Sequence, residues 1–334
     1  MRKLATIVLG GLLIVQIIYV TYGVVINPFP TGDAYGIWFL KAKAITQAVG
    51  VEEYIGFLKD NEYQYSHPEY PLLWPFFLSL FGDNLNVWML VYPVIFTILI
   101  AVVYATVMAK SNHIWALMAA FSISSVMIIE RAAGRNEVGF ADLPLSLFYL
   151  STAWLYHKEK VNWLWIGVFL GVAANIKIEG LLGSVLCALV LCPRDGKFWL
   201  SFIPLAVAWP VCSYLLNLQT IYGNTLSLDY LIHNMVKVPI VIDLVKKEFF
   251  NLGRYGLWLP IFVISLFQKY ERKTWKINLW LVMYLICLVG SYFFTPLPLV
   301  RHWDSSFYRI IVGVLPIIIL NSFIMNLCLL EKKF

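Results

Sequence analysis

Apolar runs alternate with short polar turns along the whole chain, and the spacing is helical rather than alternating. The first run, 4–26, follows Met1-Arg2-Lys3, is about as long as a membrane span needs and precedes no small-residue cleavage site, so it reads as a retained anchor. Further runs at 87–109, 114–129, 141–156, 163–176, 178–191, 198–216, 255–267, 277–295 and 308–329 bring the expectation to about ten transmembrane helices. Several are shorter than the roughly 20 residues a span takes, which a bundle tolerates where a helix is buried in protein or lines a cavity. The run at 72–81 has only about ten residues and is expected to be interfacial or re-entrant.

Two polar segments are too long to be turns, 27–86 and 217–254. In the first, Ile37, Leu40, Ala44 and Ala48 recur at helical spacing after Pro30-Thr31-Gly32, so a helix is expected to begin at Asp33, with a second amphipathic piece at 51–58. In the second, Ile242, Val245, Phe249 and Phe250 share one helical face, with Lys246, Lys247 and Glu248 off it, as in a helix lying in the membrane interface. The pattern predicts an all-α, polytopic membrane bundle, a single integral-membrane domain over 1–334 with interfacial helices in both long loops and no separate soluble domain.

Composition agrees: 60% of the residues are hydrophobic and the mean hydropathy is +0.76, well above the usual soluble domain. Charge then orients the chain. With ten spans and a cytoplasmic N-terminus, the face holding the N-terminus, Lys110, Lys158, Lys160, Arg194, Lys197, the 269–276 cluster, Lys332 and Lys333 carries +9, and the opposite face carries −3. This is the positive-inside asymmetry, so a multi-pass cell-membrane protein with both termini cytoplasmic is expected. The net +6 thus belongs to membrane topology and lipid contact, not to a nucleic-acid partner. The five cysteines all sit in apolar runs and suggest no disulfide framework, and the histidines at 67, 113, 157, 233 and 302 have no metal-ligand spacing.

On this topology the unusual polar clusters converge on the exported face. They are Asp33 with Lys41 and Lys43; His67, Glu69 and Tyr70; the acids and arginines of 130–142; Asn175, Lys177 and Glu179; and Arg301, His302, Asp304 and Arg309. Ionisable groups at span ends are costly and mark a substrate site by default. Each also has a plain structural reading. Asp33 and Asp142 suit helix caps, Lys41 and Lys43 a headgroup-facing surface, His67–Pro71 a rigid turn, and Lys177 with Glu179 a structural ion pair. Arg301 and Arg309 stand eight residues apart, within reach of one anion.

In sequence order, Gly32-Asp33-Ala34 with Ile-Trp-Phe-Leu-Lys-Ala-Lys, His-Pro-Glu-Tyr-Pro at 67–71, Ala141-Asp142-Leu143-Pro144-Leu145, Lys177-Ile178-Glu179-Gly180, and Arg301-His302-Trp303 with Arg309 resemble the bacterial membrane glycosyltransferases of the GT-C superfamily. The similarity runs over about residues 30–310 and is nearest to the branch of protein O-mannosyltransferases and aminoarabinose transferases. That resemblance implies a polyprenyl-phosphate-linked sugar donor and a glycan, lipid or protein acceptor at the exported face, with hexosyl or pentosyl transfer; a one-step displacement with one base then inverts the anomeric carbon.

It also implies a catalytic base in the first exported loop, Asp33, and a second acid, Asp142. Arg301, His302, Arg309 and Lys177 are then candidates for the donor phosphate, and Lys41, Lys43, His67, Glu69, Tyr70 and Glu179 for other substrate contacts. No cofactor is required, but mannosyltransferases have Asp-Glu where this chain has Asp33-Ala34, which leaves a divalent cation and the acceptor class open. The chain is expected to end after its last span, which leaves acceptor recognition open to a partner subunit. The alternatives are a lipid-linked sugar flippase or transporter, and a non-catalytic subunit of a glycosylation complex.

Overall fold

Arg2–Ile26 forms one continuous helix, α1, in the computed structural model, which describes residues 2–135, 137–218, 227–268 and 271–331. At 1.5 Å per residue it runs about 37 Å, enough to cross a bilayer. A π-helical turn, Ala34–Phe39, then leads into α2 (Leu40–Gln47), α3 (Val51–Lys59) and, after a tight 3-10 turn at Asn61–Ser66, α4 (Leu73–Ser79). The helix starts before Asp33. Its backbone is already helical (φ −65°, ψ −38°), and the Tyr35 N–H is bonded to the Thr31 carbonyl. The Asp33 carboxylate therefore caps nothing, contrary to the structural reading of this residue.

The remaining helices are α5 (Leu85–Met108), α6 (His113–Ser124), α7 (Met127–Gly134), α8 (Asp142–His157), α9 (Trp163–Ala174), α10 (Ile178–Leu191) and α11 (Gly196–Leu215), followed by α12 (Leu228–Asn234), α13 (Val238–Phe249), α14 (Leu252–Tyr255), α15 (Trp258–Leu266), α16 (Arg272–Ser291), α17 (Leu299–Val312) and α18 (Leu315–Glu331). Among the described residues there is no strand. Asparagine starts three of the apolar helices: Asn84, Asn112 and Asn162 each accept first-turn N–H groups of α5, α6 and α9.

Fewer helices than apolar runs reach the length of a span. Among the described residues four are long and apolar enough to cross a membrane, α1, α5, α11 and α16 with its short extension, and six candidates result if α6 with α7 (bent by 67°) and α17 with α18 (bent by 51°) are each taken as one. The runs at α8, α9, α10 and α15 are helical but only 16, 12, 14 and 9 residues long, below the roughly 20 that a span requires.

The centre of the bundle is α18, whose Ile317, Ile318, Ile319 and Leu320 are fully buried, packed with Phe96 and Leu99 of α5, Tyr149 of α8 and Trp280 and Tyr284 of α16. Two polar groups in this core find backbone partners, Trp280 donating to the Gly183 carbonyl (2.9 Å) and Tyr149 to that of Gly180 (2.8 Å), while the Tyr284 hydroxyl has none among the described residues. At the end of the bundle remote from Asp33, Lys110 approaches Glu271 (3.7 Å), Lys273 donates to the Lys158 carbonyl (2.6 Å) and Lys276 to that of Leu191 (2.6 Å). These basic groups share one end, as the charge division expects; Lys269, Lys332 and Lys333 lie outside the described residues.

One face assignment is corrected. In α13 the buried positions are Val241, Leu244 and Glu248, while Ile242 and Phe250 are exposed. Glu248 turns inward because Tyr255 donates to its carboxylate (2.9 Å) and Arg254 pairs with it.

Candidate active site

A cavity of about 190 Å³ opens at the end of the bundle where α1 delivers the chain to Asp33. Its walls come from five stretches far apart in sequence. The first loop supplies Asp33, Ile37 and Trp38, which a π-helical turn, wider by one residue than an α-turn, sets on one side. The turn after the 3-10 segment supplies His67 and Tyr70, the start of α8 supplies Asp142, and the α9–α10 connection supplies Lys177 and Glu179. Tyr292, His302, Ser306 and Arg309 close the far side.

Each charge in the cavity is held by another. Arg309 donates to Asp33 (3.1 Å), joining two residues 276 positions apart in the chain. The Asp33 side chain is 60% exposed and that of Arg309 16%, so the carboxylate is accessible while the guanidinium is fixed, stacked 4.3 Å over the Phe140 ring. Deeper in, the Lys177 ammonium lies between Asp142 (2.8 Å) and Glu179 (3.3 Å), with Glu179 Oε2 lacking any partner among the described residues. Two carboxylates and one ammonium leave this group an excess negative charge. A divalent cation does not fit here, because the lysine already occupies the position between the two acids. Among the described residues no group of three or more His, Cys, Asp or Glu is placed to hold a metal.

The turn at 67–71 is braced from below. His67 adopts a left-handed backbone (φ 54°), its ring bonds Glu69 (3.1 Å) and stacks on Tyr70, and its carbonyl accepts the Lys41 ammonium. Lys41 is fully buried, and burial lowers its pKa to about 7 although Glu69 pulls the other way. Lys41 therefore supports the turn and has no surface for a substrate. Glu69 is also buried, with its backbone carbonyl accepting the Trp209 indole N–H (2.7 Å), and it lines a neighbouring cavity instead. Lys43 is half-buried on α2 and lines neither cavity at Asp33. Arg301 is exposed and lies outside the site, whereas His302 lines it and bonds Thr295 (2.6 Å).

A second cavity, of about 360 Å³, adjoins the first across the Asp33–Arg309 pair. The two share Asp33, Phe140, Ser305 and Arg309; Thr31, Gly32, Arg131, Glu137 and Tyr308 complete the second. Arg131 pairs with Glu137, and burial raises the Glu137 carboxyl pKa against the pull of Arg131 and Arg309. Phe140, Tyr292, Ser305 and Tyr308 carry no signal in the sequence, being ordinary residues near the ends of apolar runs. Arg131 and Glu137 belong to a charged stretch that stands out, but their shared cavity with Asp33 is visible only in the fold.

Comparison with known proteins gives one match: the family model described as dolichyl-phosphate-mannose-protein mannosyltransferase matches residues 67–215. No curated protein and no solved structure matches the chain. The matched stretch contains His67, Glu69, Tyr70, Asp142, Lys177 and Glu179, and stops short of Asp33 and Arg309 on either side.

Proposed function

From a match that implies a membrane glycosyltransferase, we propose that this chain transfers a sugar from a polyprenyl-phosphate carrier to a hydroxyl acceptor at the exported face, with Asp33 as general base. The observation that carries this reading is the single cavity joining Asp33 and Arg309, from outside the matched stretch, to Asp142, Lys177 and Glu179 within it. Asp33 is the one exposed carboxylate there and suits proton abstraction.

In the reaction the acceptor O–H loses its proton to Asp33, and the oxygen attacks the anomeric carbon. The bond from that carbon to the phosphate oxygen breaks, with its electron pair leaving on the polyprenyl phosphate. Arg309, released from its partner charge as Asp33 takes the proton, is the cation for the charge that grows there, while Lys177 stays paired to Asp142 and Glu179. Arg309 has the further task of orienting Asp33, since one guanidinium presents several donors in a plane. Displacement in one step inverts the anomeric carbon. The donor's sugar, hexose or pentose, is set by contacts beyond these charges.

Mass spectrometry of lipid-linked sugars in cells with and without the chain tests the reading. Loss of the chain is expected to accumulate a polyprenyl-phosphate monosaccharide, and the wild type but not Asp33→Asn is expected to clear it. Unchanged lipid-linked sugars on loss of the chain would overturn it.

A further inference from the structure

The second cavity has a chemistry of its own. Its charged lining is balanced, with Arg131 paired to Glu137 and Arg309 to Asp33. Three of its lining residues also hold buried polar atoms with no partner among the described residues: Thr31 Oγ1, Arg131 Nε and Arg309 Nε. Unsatisfied buried donors are costly, and a ligand recovers that cost where these side chains turn to meet it. The cavity lies against the Asp33 carboxylate on the side away from Lys177, Asp142 and Glu179, and its volume falls in the range of ligand pockets, roughly 300–1,000 Å³.

We infer that this cavity is the acceptor subsite and that it takes an uncharged, polyhydroxylated sugar unit of a glycan. The inference rests on the glycosyl-transfer reading and adds the acceptor class to it. A hydroxyl both donates and accepts, and the lining offers both: Arg131, Arg309 and Thr31 donate, while Glu137 and Asp33 accept. A phosphate or carboxylate group on the acceptor only accepts, and would meet the Glu137 and Asp33 carboxylates while both arginines of the lining are already paired to them.

Geometry fits the direction of attack. A base shared by two cavities receives a proton from an acceptor in one while the donor's anomeric carbon and phosphate occupy the other. Asp33 and Arg309 are the charged residues common to both.

The test uses the purified full chain in lipid nanodiscs. Saturation-transfer NMR is recorded with an uncharged disaccharide, the same disaccharide carrying a phosphate, and a serine- and threonine-rich peptide. Transfer from polyprenyl-phosphate mannose to each is then followed by release of polyprenyl phosphate and by mass spectrometry of product. The uncharged disaccharide is expected to bind and to be the preferred acceptor. Glu137→Gln and Arg131→Met are expected to raise its KM about tenfold or more with kcat within threefold, the loss of one charged hydrogen bond, and Glu137→Asp to recover part of it.

Preference for the phosphorylated sugar or the peptide would overturn the acceptor assignment, as would KM values untouched by both substitutions, even with transfer intact and Asp33-dependent. Disaccharide binding that depends on Glu137 and Arg131, without transfer that depends on Asp33, would instead uphold the site and overturn the catalytic reading.

Discussion

Asp33 is the residue on which the catalytic and structural readings separate. It makes no capping bond, so its replacement by Asn, the same shape without charge, removes only the base and the Arg309 ion pair. Asp33→Asn is expected to insert and melt like the parent and to transfer sugar at no more than about a hundredth of its rate, a loss of roughly 3 kcal/mol of transition-state stabilisation. Turnover assays on purified protein check this, and near-parental transfer would leave Asp142 or Glu179 as the base.

Lys41 gives a second expectation, in pH. Its folded pKa is about 7 against an ordinary 10.5, so between these values the unfolded chain holds a proton that the folded chain lacks. Stability therefore rises as pH increases from about 7 towards 10.5, and below pH 7 the full cost of the buried charge applies. Melting temperature measured at pH 6.5 and pH 9 should rise for the parent and rise less for Lys41→Met; equal slopes would remove Lys41 as the source. At this scale much of the site is legible, because ionisable residues stand out in an apolar chain. Arg301 and Arg309 are not separable that way. Both lie on α17, and eight residues turn a helix to about 80° from the starting direction, so only one faces the cavity.

At the scale of elements, the Lys177–Glu179 connection is positioned by how closely α9 approaches α11. A Cβ on Gly167 would sit 2.2 Å from Ser201 Oγ and 2.6 Å from the Phe198 carbonyl oxygen, and one on Gly171 would sit 2.5 Å from Leu205 Cβ. These glycines, four residues apart, let the two backbones touch, as small residues do between membrane helices. Asn175, at the end of α9, then donates to the carbonyls of Leu205 on α11 and Gly171 (2.8 Å for the latter). Gly167→Val is expected to push the helices apart, cost about 1–3 kcal/mol and lower the melting temperature by several degrees, with a fall in turnover as Lys177 shifts. Thermal unfolding in detergent measures it, and an unchanged melting temperature would mean that α11 yields freely. The apolar pattern reads the existence of these helices well. It does not read their ends, because hydropathy continues across the breaks at Ser125–Val126 and Gly313–Val314 where the chain bends.

For the whole molecule, the ordering of charge along the chain says more about architecture than the number of spans does. The ten apolar runs are all helical where described, yet among the described residues only four helices, or six with the two bent pairs, are long and apolar enough to cross a membrane, and a run buried in protein need not reach the length that lipid demands. What persists is the separation of two ends. Asp33, His67, Asp142, Lys177 and Arg309 meet at one, and Lys110, Lys158, Lys273 and Lys276 interact at the other. If positive charge stays inside, the second end is cytoplasmic and the site is exported. In a cysteine-free background, Glu52→Cys, exposed on α3, which packs on the 3-10 turn before His67, is expected to react in intact cells with a membrane-impermeant thiol reagent, and Lys160→Cys, exposed in the α8–α9 turn, only after permeabilisation. The reverse pattern would turn the cavity to the cytoplasm, and labelling of both from outside would mean that the two ends are not divided by the bilayer at all.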